Sequence, residues 1–338
     1  MFNFRNSDLV LEARKSKFIP KLGVLMLIAF AVYYISSIVS AIPLSVIMGI
    51  IMGTKLVLEG DLPIDEATGA PMLDTEAYEK MLVEFLTSRE SVLISLFLTV
   101  VTIFASIIVC KYIEKRSLYS MGFVKKNCVL SYIFGLFIGL LMFSAVYLIC
   151  VGTRAVEFKG LNPDLDITFF VLFFLAFVVQ GASEEIFLRG FFTISAARNA
   201  PTGVAVATSS LLFAMLHFAN SGFSFRPFIN LFLFGIFASL YMLRGGNIWG
   251  ISAIHSMWNF SQGNIFGCRV SGMNVGESLF LSSISEIRAS TNGGAFGPEG
   301  GVAVSLVLVV AIMLVVFIPS KKDSNLNREQ KKELYENL

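Results

Sequence analysis

The residues of this chain that could do chemistry lie inside hydrophobic segments. Only two histidines occur among 338 residues, His217 and His255, and both stand in apolar runs. A third apolar run carries Glu184, Glu185 and Arg189. Ionisable side chains are costly at membrane depth, and the few that a chain keeps there usually serve a function. These groups are therefore the first candidates for an active site.

The two adjacent glutamates are predicted to have different roles. On a helix, Glu185 and Arg189 are four residues apart, share a face and can form an ion pair. Glu184 is rotated by about 100° and cannot make the same contact. It is left to face a cavity, where a desolvated carboxylate can exchange protons near neutral pH. The competing interpretation is an ion-pair cluster at the membrane interface, and it fits Glu185 and Arg189 better than Glu184.

Each histidine has a partner four residues away in its own segment. Phe213 precedes His217, and Asn259 follows His255. The Asn259 amide can hydrogen-bond His255 or point into the same small volume, where it suits a developing oxyanion. The competing interpretations are a buried core histidine at 217 and a polar clasp between helices at 255 and 259.

Together these segments supply an acid–base carboxylate, two imidazoles and an amide donor. They contain no GxSxG serine and no cysteine beside an obvious base. Water activated by Glu184 is then the simplest nucleophile, and hydrolysis of an amide bond is the reaction that uses all the parts. Two histidines and a glutamate from separate helices could instead bind a divalent metal that activates water. HExxH is absent, and both options stay open at this point.

The elements that position these groups are predicted to be membrane-spanning helices. Hydrophobic residues make up 55% of the chain, charged residues 15%, and the mean hydropathy is +0.75. A soluble domain averages about 45–50% apolar and about 25% charged residues. A span needs roughly 20 mostly apolar residues. Eight runs are candidates, at about 22–46, 91–110, 129–150, 168–188, 202–219, 228–243, 247–264 and 301–319. We therefore expect an all-α, polytopic membrane protein with an intramembrane cavity.

Lysine and arginine cluster on one set of connections. They are Arg5, Arg14, Lys15, Lys17, Lys21, Lys111, Lys115, Arg116, Lys125, Lys126, Arg189, Arg198, Arg244, Lys321, Lys322, Arg328, Lys331 and Lys332. Such clusters mark the cytoplasmic side, so both termini are predicted to be cytoplasmic, in a bacterial plasma membrane. The opposite loop at 54–90 holds nine acidic residues against three basic ones.

The rest of the chain is organised around this membrane part. Residues 1–21 are predicted to be a cytoplasmic segment, 22–319 the transmembrane protease domain with its core at about 168–264, and 320–338 a polar cytoplasmic tail. Within the loop at 54–90, apolar residues recur at helical spacing and predict a short amphipathic helix. They are Tyr78, Met81, Leu82 and Phe85. The Gly-rich run at 290–301 is predicted to be an outer loop.

Three ordered motifs resemble those of one known family. EExxxR stands at 184–189, FxxxH at 213–217 and HxxxN at 255–259. In this order they resemble the CPBP family, the CAAX-prenyl-protease-2-like and bacteriocin-processing intramembrane proteases, also called Abi proteins. The resemblance runs from about Val178 to Phe260, and RSLYSMGF at 116–123 also looks typical of the family.

The resemblance implies a role for each motif residue. Glu184 would be the general base that activates water, assisted by His217. His255 and Asn259 would stabilise the oxyanion, while Glu185 and Arg189 would support the site. It implies a glutamate-based mechanism without a cofactor, and zinc stays an alternative.

The sequence therefore predicts an intramembrane endopeptidase acting on a membrane-associated peptide or protein. Prenylated substrates follow only by family analogy, whereas processing of peptide signals or bacteriocins, or self-immunity, suits a bacterial setting. A non-catalytic immunity or scaffold protein of the same fold and a proton-coupled transporter are the alternatives. The net charge of +2 gives no reason to expect nucleic acid, and the sequence does not indicate an oligomeric state.

One geometric requirement follows from the span boundaries. If the fifth span starts near Pro201, His217 lies about 24 Å from the cytoplasmic face at about 1.5 Å per residue. Glu184 would lie much closer to that face. For the two to meet, the fourth helix must continue past Arg189, or the connection at 189–202 must be re-entrant.

Overall fold

The computed structural model describes residues 7–59 and 75–318, and helices make up most of them. The α-helices are α1 (Asp8–Ala13), α2 (Leu22–Glu59), α3 (Thr75–Thr87), α4 (Arg89–Leu98), α5 (Val100–Ile108), α6 (Cys128–Gly152), α7 (Ile167–Glu185), α8 (Ile194–Ala197), α9 (Thr202–Met215), α10 (Phe225–Gly245), α11 (Trp249–Phe260), α12 (Ala289–Asn292) and α13 (Val302–Phe317). π-helical segments occupy Val109–Ile113, Ile186–Thr193 and Ser261–Ile265. Short 3₁₀ turns occupy Leu118–Met121, Glu286–Arg288, Gly294–Phe296 and Pro298–Gly300.

The all-α membrane class is confirmed. Within the described ranges, five continuous helical stretches are long and apolar enough to cross a membrane: Leu22–Thr54, Arg89–Ile113, Cys128–Gly152, Ile167–Ala197 and Phe225–Gly245. These correspond to five of the eight predicted spans. The helices α9 and α13 are apolar but shorter. The predicted span at 247–264 is the 12-residue helix α11 followed by a π-helical turn.

The first long helix and its loop follow the sequence closely. Pro43 lies inside α2, which continues to Glu59. The predicted amphipathic helix is α3, in which Phe85 is buried. The predicted tail at 320–338 lies outside the described residues, as do residues 1–6 and 60–74.

A small antiparallel sheet joins two connections at one end of the bundle, where only loops were expected. Strand β1 (Val156–Leu161) pairs with β2 (Phe280–Ile284), with an irregularity between Phe158 and Gly160. Extended backbone outside a helix still needs hydrogen-bond partners, and two such segments meeting at a bundle end satisfy each other. The sheet also ties the Gly-rich loop region to the connection that precedes α7.

The fourth span does continue past Arg189. The π-helical segment Ile186–Thr193 and α8 carry the helix from α7 to Ala197 without a break. At about 1.5 Å per residue, Glu184 lies about 20 Å from the Ala197 end and His217 about 22 Å from the start of α9. The two candidates are therefore at similar depth, as the chemistry requires.

Glycines allow α11 to pack very closely between α6 and α7. A Cβ atom at Gly135 or Gly139 of α6 would overlap the carbonyl oxygens of Gly250 and Ile254. A Cβ atom at Gly181 of α7 would lie 2.6 Å from the backbone nitrogen of Ser256. Small residues let helix backbones approach in this way inside membranes. The helix that carries His255 is thus held against both neighbours.

We expect Gly139→Ala to destabilise the protein by about 1–3 kcal/mol, because the added methyl group has no space against α11. The matched control is Gly49→Ala on α2, where nothing lies within 4 Å of the added Cβ. This control should be neutral or slightly stabilising, since alanine favours helix over glycine. Unfolding in mixed detergent micelles measures both. Equal effects of the two changes would contradict the close-packing argument.

Candidate active site

Five of the predicted site residues line one cavity of about 740 Å³: Glu184, Phe213, His217, His255 and Asn259. They come from α7, α9, the turn after α9, and α11. The other two, Glu185 and Arg189, are fully buried behind its wall. Three segments far apart in sequence thus converge on one volume.

Consecutive glutamates contact the two nitrogens of a single imidazole. Glu185 Oε1 lies 2.8 Å from His255 Nδ1, a hydrogen bond between buried groups. Glu184 Oε2 lies 3.6 Å from His255 Nε2, and the Glu184 side chain is 28% exposed to the cavity. An ionised carboxylate only accepts hydrogen bonds, so Glu185 selects the tautomer with hydrogen on Nδ1. The Nε2 atom is left facing Glu184.

The predicted pair of Glu185 and Arg189 is present, in an unusual form. Arg189 Nη1 lies 3.2 Å from Glu185 Oε1, and both side chains are fully buried. The guanidinium makes no hydrogen bond with good geometry to any described residue. Its carbon lies 4.8 Å from the centre of the Phe213 ring, within the range of a cation–π contact. The attraction to Glu185 and the contact with this ring therefore hold Arg189 in place. Phe213 thus helps to stabilise the buried guanidinium.

Gln180 is a site residue that the sequence reasoning missed. Its Nε2 donates to Glu184 Oε1 at 2.7 Å, and its Oε1 accepts from Asn259 Nδ2 at 3.0 Å. The amide thus bridges the candidate base and the candidate oxyanion donor. The sequence does contain one indication of this role, because Gln180 is a polar residue one turn before Glu184 in an otherwise apolar helix. The structure records no hydrogen bond between His255 and Asn259 among the described residues.

His217 is half-buried at the end of α9 and has its ring orientation fixed locally. Its Nδ1 lies 2.8 Å from the backbone oxygen of Phe213. A carbonyl only accepts, so the proton is on Nδ1 and Nε2 is free to accept a hydrogen bond. The sequence predicts His217 beside Glu184, whereas the imidazole within 4 Å of Glu184 is that of His255. The His217 ring shares the cavity and stacks edge to face on Phe213 at 4.8 Å.

A buried polar cluster fixes the π-helical segment that follows the glutamates. Arg116 donates to the backbone oxygen of Phe191 at 3.1 Å and pairs with Glu114 at 2.6 Å. Glu114 also pairs with Arg198 at 2.9 Å and accepts from Ser195 at 2.6 Å. A π-helical turn leaves backbone groups in need of partners, and the Arg116 side chain supplies one. The RSLYSMGF segment therefore supports the helix that carries the site.

The described residues contain no group of three His, Cys, Asp or Glu side chains arranged to hold a metal ion. Glu184 and His255 face each other, but Glu185 is turned to the far side of the same imidazole. Among the described residues, no third ligand converges with Glu184 and His255, so the donor set does not fit a zinc site.

Fold and site together define a class: a helical membrane protein with an acid–base cluster of carboxylates, imidazoles and amides around a cavity inside the bundle. A comparison with family models narrows the class. Residues 166–261 match the model described as type II CAAX prenyl endopeptidase Rce1-like. This match contains all three motifs and confirms the family resemblance over that segment. No curated protein matches the chain. At family level, the finding supports a CAAX-type intramembrane protease.

We expect Arg189→Met to destabilise the protein by about 3–5 kcal/mol, because it leaves the buried Glu185 carboxylate without its cation. The double variant Glu185→Gln with Arg189→Met should recover much of this loss, since no unpaired charge stays buried. Unfolding of the purified variants in mixed micelles gives both values. A double variant as unstable as Arg189→Met alone would show that the ion pair is not the important contact.

Proposed function

We propose that this protein is a glutamate-type intramembrane endopeptidase, acting on a peptide or membrane protein without a cofactor. The observation that carries the proposal is the setting of Glu184. Its carboxylate faces the cavity, accepts a hydrogen bond from Gln180 and lies 3.6 Å from the His255 imidazole. This is a proton-accepting group with a neighbour that can hold a positive charge. Both termini are proposed to be cytoplasmic, in a bacterial plasma membrane.

Charge balance supports one extra proton in the resting site. The ionised forms of Glu184, Glu185 and Arg189 add up to one negative charge. Net charge is unfavourable away from water, and pairing reduces its cost. A proton on His255 makes the cluster neutral, with Glu185 accepting from Nδ1 and Glu184 beside Nε2. Glu184 then stays ionised and can act as a base.

Hydrolysis would proceed with Glu184 as the base. A water in the cavity, oriented by Glu184 and by the free Nε2 of His217, attacks the carbonyl carbon of the substrate amide. The water proton moves to Glu184 as the new C–O bond forms. Glu184 then gives this proton to the amide nitrogen, and the C–N bond breaks to release an amine and a carboxylic acid.

The oxyanion formed in this step needs donors that are already in place. The Asn259 amide uses one N–H for Gln180 and keeps a second N–H for the oxyanion. The His255 Nε2–H is the other candidate donor, since its ring is fixed by Glu185. Preorganised donors of this kind are worth about 10²–10³-fold in rate each. Gln180, Glu185 and Arg189 act as positioning residues.

We expect Glu184→Gln to lower peptide cleavage by about 10²–10⁴-fold, because the amide cannot take a proton from water. The matched control is Glu299→Gln, a second carboxylate that lines the same cavity and accepts hydrogen bonds from Ser271. It should keep activity. Substrates are identified by mass spectrometry of membrane fractions, as peptides that accumulate uncleaved in cells that carry Glu184→Gln. Equal cleavage by wild type and Glu184→Gln would overturn the role of Glu184. No cleavage by wild-type protein would favour the immunity or scaffold alternative.

We expect metal chelators to leave this cleavage unchanged, since the mechanism uses only side chains and water. Purified protein is incubated with EDTA and with 1,10-phenanthroline, and the cleavage rate is compared before and after addition of zinc. A rate that falls on chelation and returns with zinc would contradict the glutamate-type mechanism.

A further inference from the structure

We infer that the cavity opens to the non-cytoplasmic face, so that its substrate is a peptide segment presented from outside the cytoplasm. The substrate class in this inference rests on the proposed function. The direction of access rests on the structure and charge pattern alone. Three observations carry it: where the cavity ends, how charge is distributed between the bundle ends, and what lines the passage to Glu184.

In the part of the chain that the structure describes, the cavity reaches the connections at one end of the bundle. Its lining includes Leu86 and Thr87 at the end of α3, Asn220 and Ser221 after α9, and residues 269–274. These connections contact each other, since Asn220 donates to the backbone oxygen of Ser271. Among the described residues, no lining residue comes from 7–21, 111–127, 198–203 or 244–249, the connections at the other end. A molecule in water therefore meets the cavity from the first end.

The end without an opening is the basic one. Contacts between its connections hold this end together. Ser7 donates to the backbone oxygen of Leu243, and Arg14 donates to that of Ala197. Arg198 forms an ion pair with Glu114. Its described segments, 7–21, 111–127, 198–201 and 244–248, hold eleven Lys or Arg against three acidic residues. The segments at the opening hold seven Lys or Arg against ten acidic residues. These segments are 75–90, 153–166, 216–226 and 266–301. Basic connections stay in the cytoplasm, so the opening faces away from it.

Hydroxyl groups line the wall between the opening and the glutamate. Ser36, Ser37 and Ser40 lie along one face of α2, and Ser95 and Thr99 lie on the neighbouring helical segment. The Ser36 hydroxyl is buried and has no hydrogen-bond partner among the described residues. An extended peptide needs partners for its backbone groups once it leaves water. The hydroxyls of Ser37, Ser40 and Thr99 already donate to backbone oxygens, but their own oxygens can still accept from a peptide N–H. The wall therefore fits an extended peptide segment.

This direction of access differs from that of a protease that trims cytoplasmic C-termini. A cytoplasmic peptide would have to pass the closed, basic end, where the Glu114 and Arg116 cluster fills the space beside the π-helical segment. A signal peptide that has been exported, or an outer loop of a membrane protein, is on the open side.

Cysteine labelling with a small, charged, membrane-impermeant thiol reagent tests the direction of access. We expect the reagent, added to intact cells, to label Ser221→Cys at the opening and not Lys125→Cys, which is exposed at the basic end. The native cysteines should give no background labelling in this test. Cys110 and Cys150 are buried, and Cys268 is 3% exposed, with burial raising its pKa to about 12. Cys128 lies at the basic end, where the reagent does not reach it in intact cells.

A second pair of variants tests the cavity itself. Thr102 lines it about 20 Å along the helix from Arg89, whereas Phe104 is 60% exposed on the outer surface of the same helix. We expect external reagent to label Thr102→Cys through the cavity. It should leave Phe104→Cys unlabelled, because a charged reagent does not enter lipid. Labelling of Thr102→Cys only in inverted vesicles, or from neither side, would overturn the inference. A protein that labels as expected but cleaves nothing would keep the access route and overturn the proposed protease function.

Discussion

A charge in the interior of a membrane helix bundle must be matched by an opposite charge or a hydrogen bond, and this constraint organises the whole site. Glu185 is fully buried and meets two groups at once, Arg189 on its own helix and His255 on α11. Because removing either partner would leave an uncompensated charge, α7 and α11 have one favourable alignment. The same alignment brings Asn259 of α11 to Gln180 of α7.

Close packing lets the charges meet. The contact between Glu185 and His255 spans two helices, so it requires backbones that approach more closely than side chains normally allow. Gly181 provides this approach one turn before Glu185, directly against Ser256 beside His255. On the opposite side of α11, glycines of α6 do the same. The hydrogen bond and the glycines therefore support each other.

The sequence predicts what is local and misses what joins separate helices. The pairing of Glu185 with Arg189 could be predicted because a helix brings residues four apart onto one face. The contact of His255 with Glu185 could not, because its depth depends on how two helices pack. The same holds for the Gln180 bridge to Asn259. The π-helical segment also escaped prediction, since its stability depends on Arg116, a residue about 75 positions earlier. The number of spans was harder to predict still, because α9 and α11 are too short for hydropathy to define them.

Two consecutive glutamates do what one glutamate could not. Residues next to each other on a helix project about 100° apart. One carboxylate can therefore hold a ring nitrogen in the closed interior while the next reaches the other nitrogen from the cavity side. Glu185 fixes the orientation and tautomer of His255, and it does so without contact with water. Glu184 keeps access to the cavity and can exchange a proton there. In the proposed mechanism, adjacent glutamates thus separate the supporting role from the reacting role at a single imidazole.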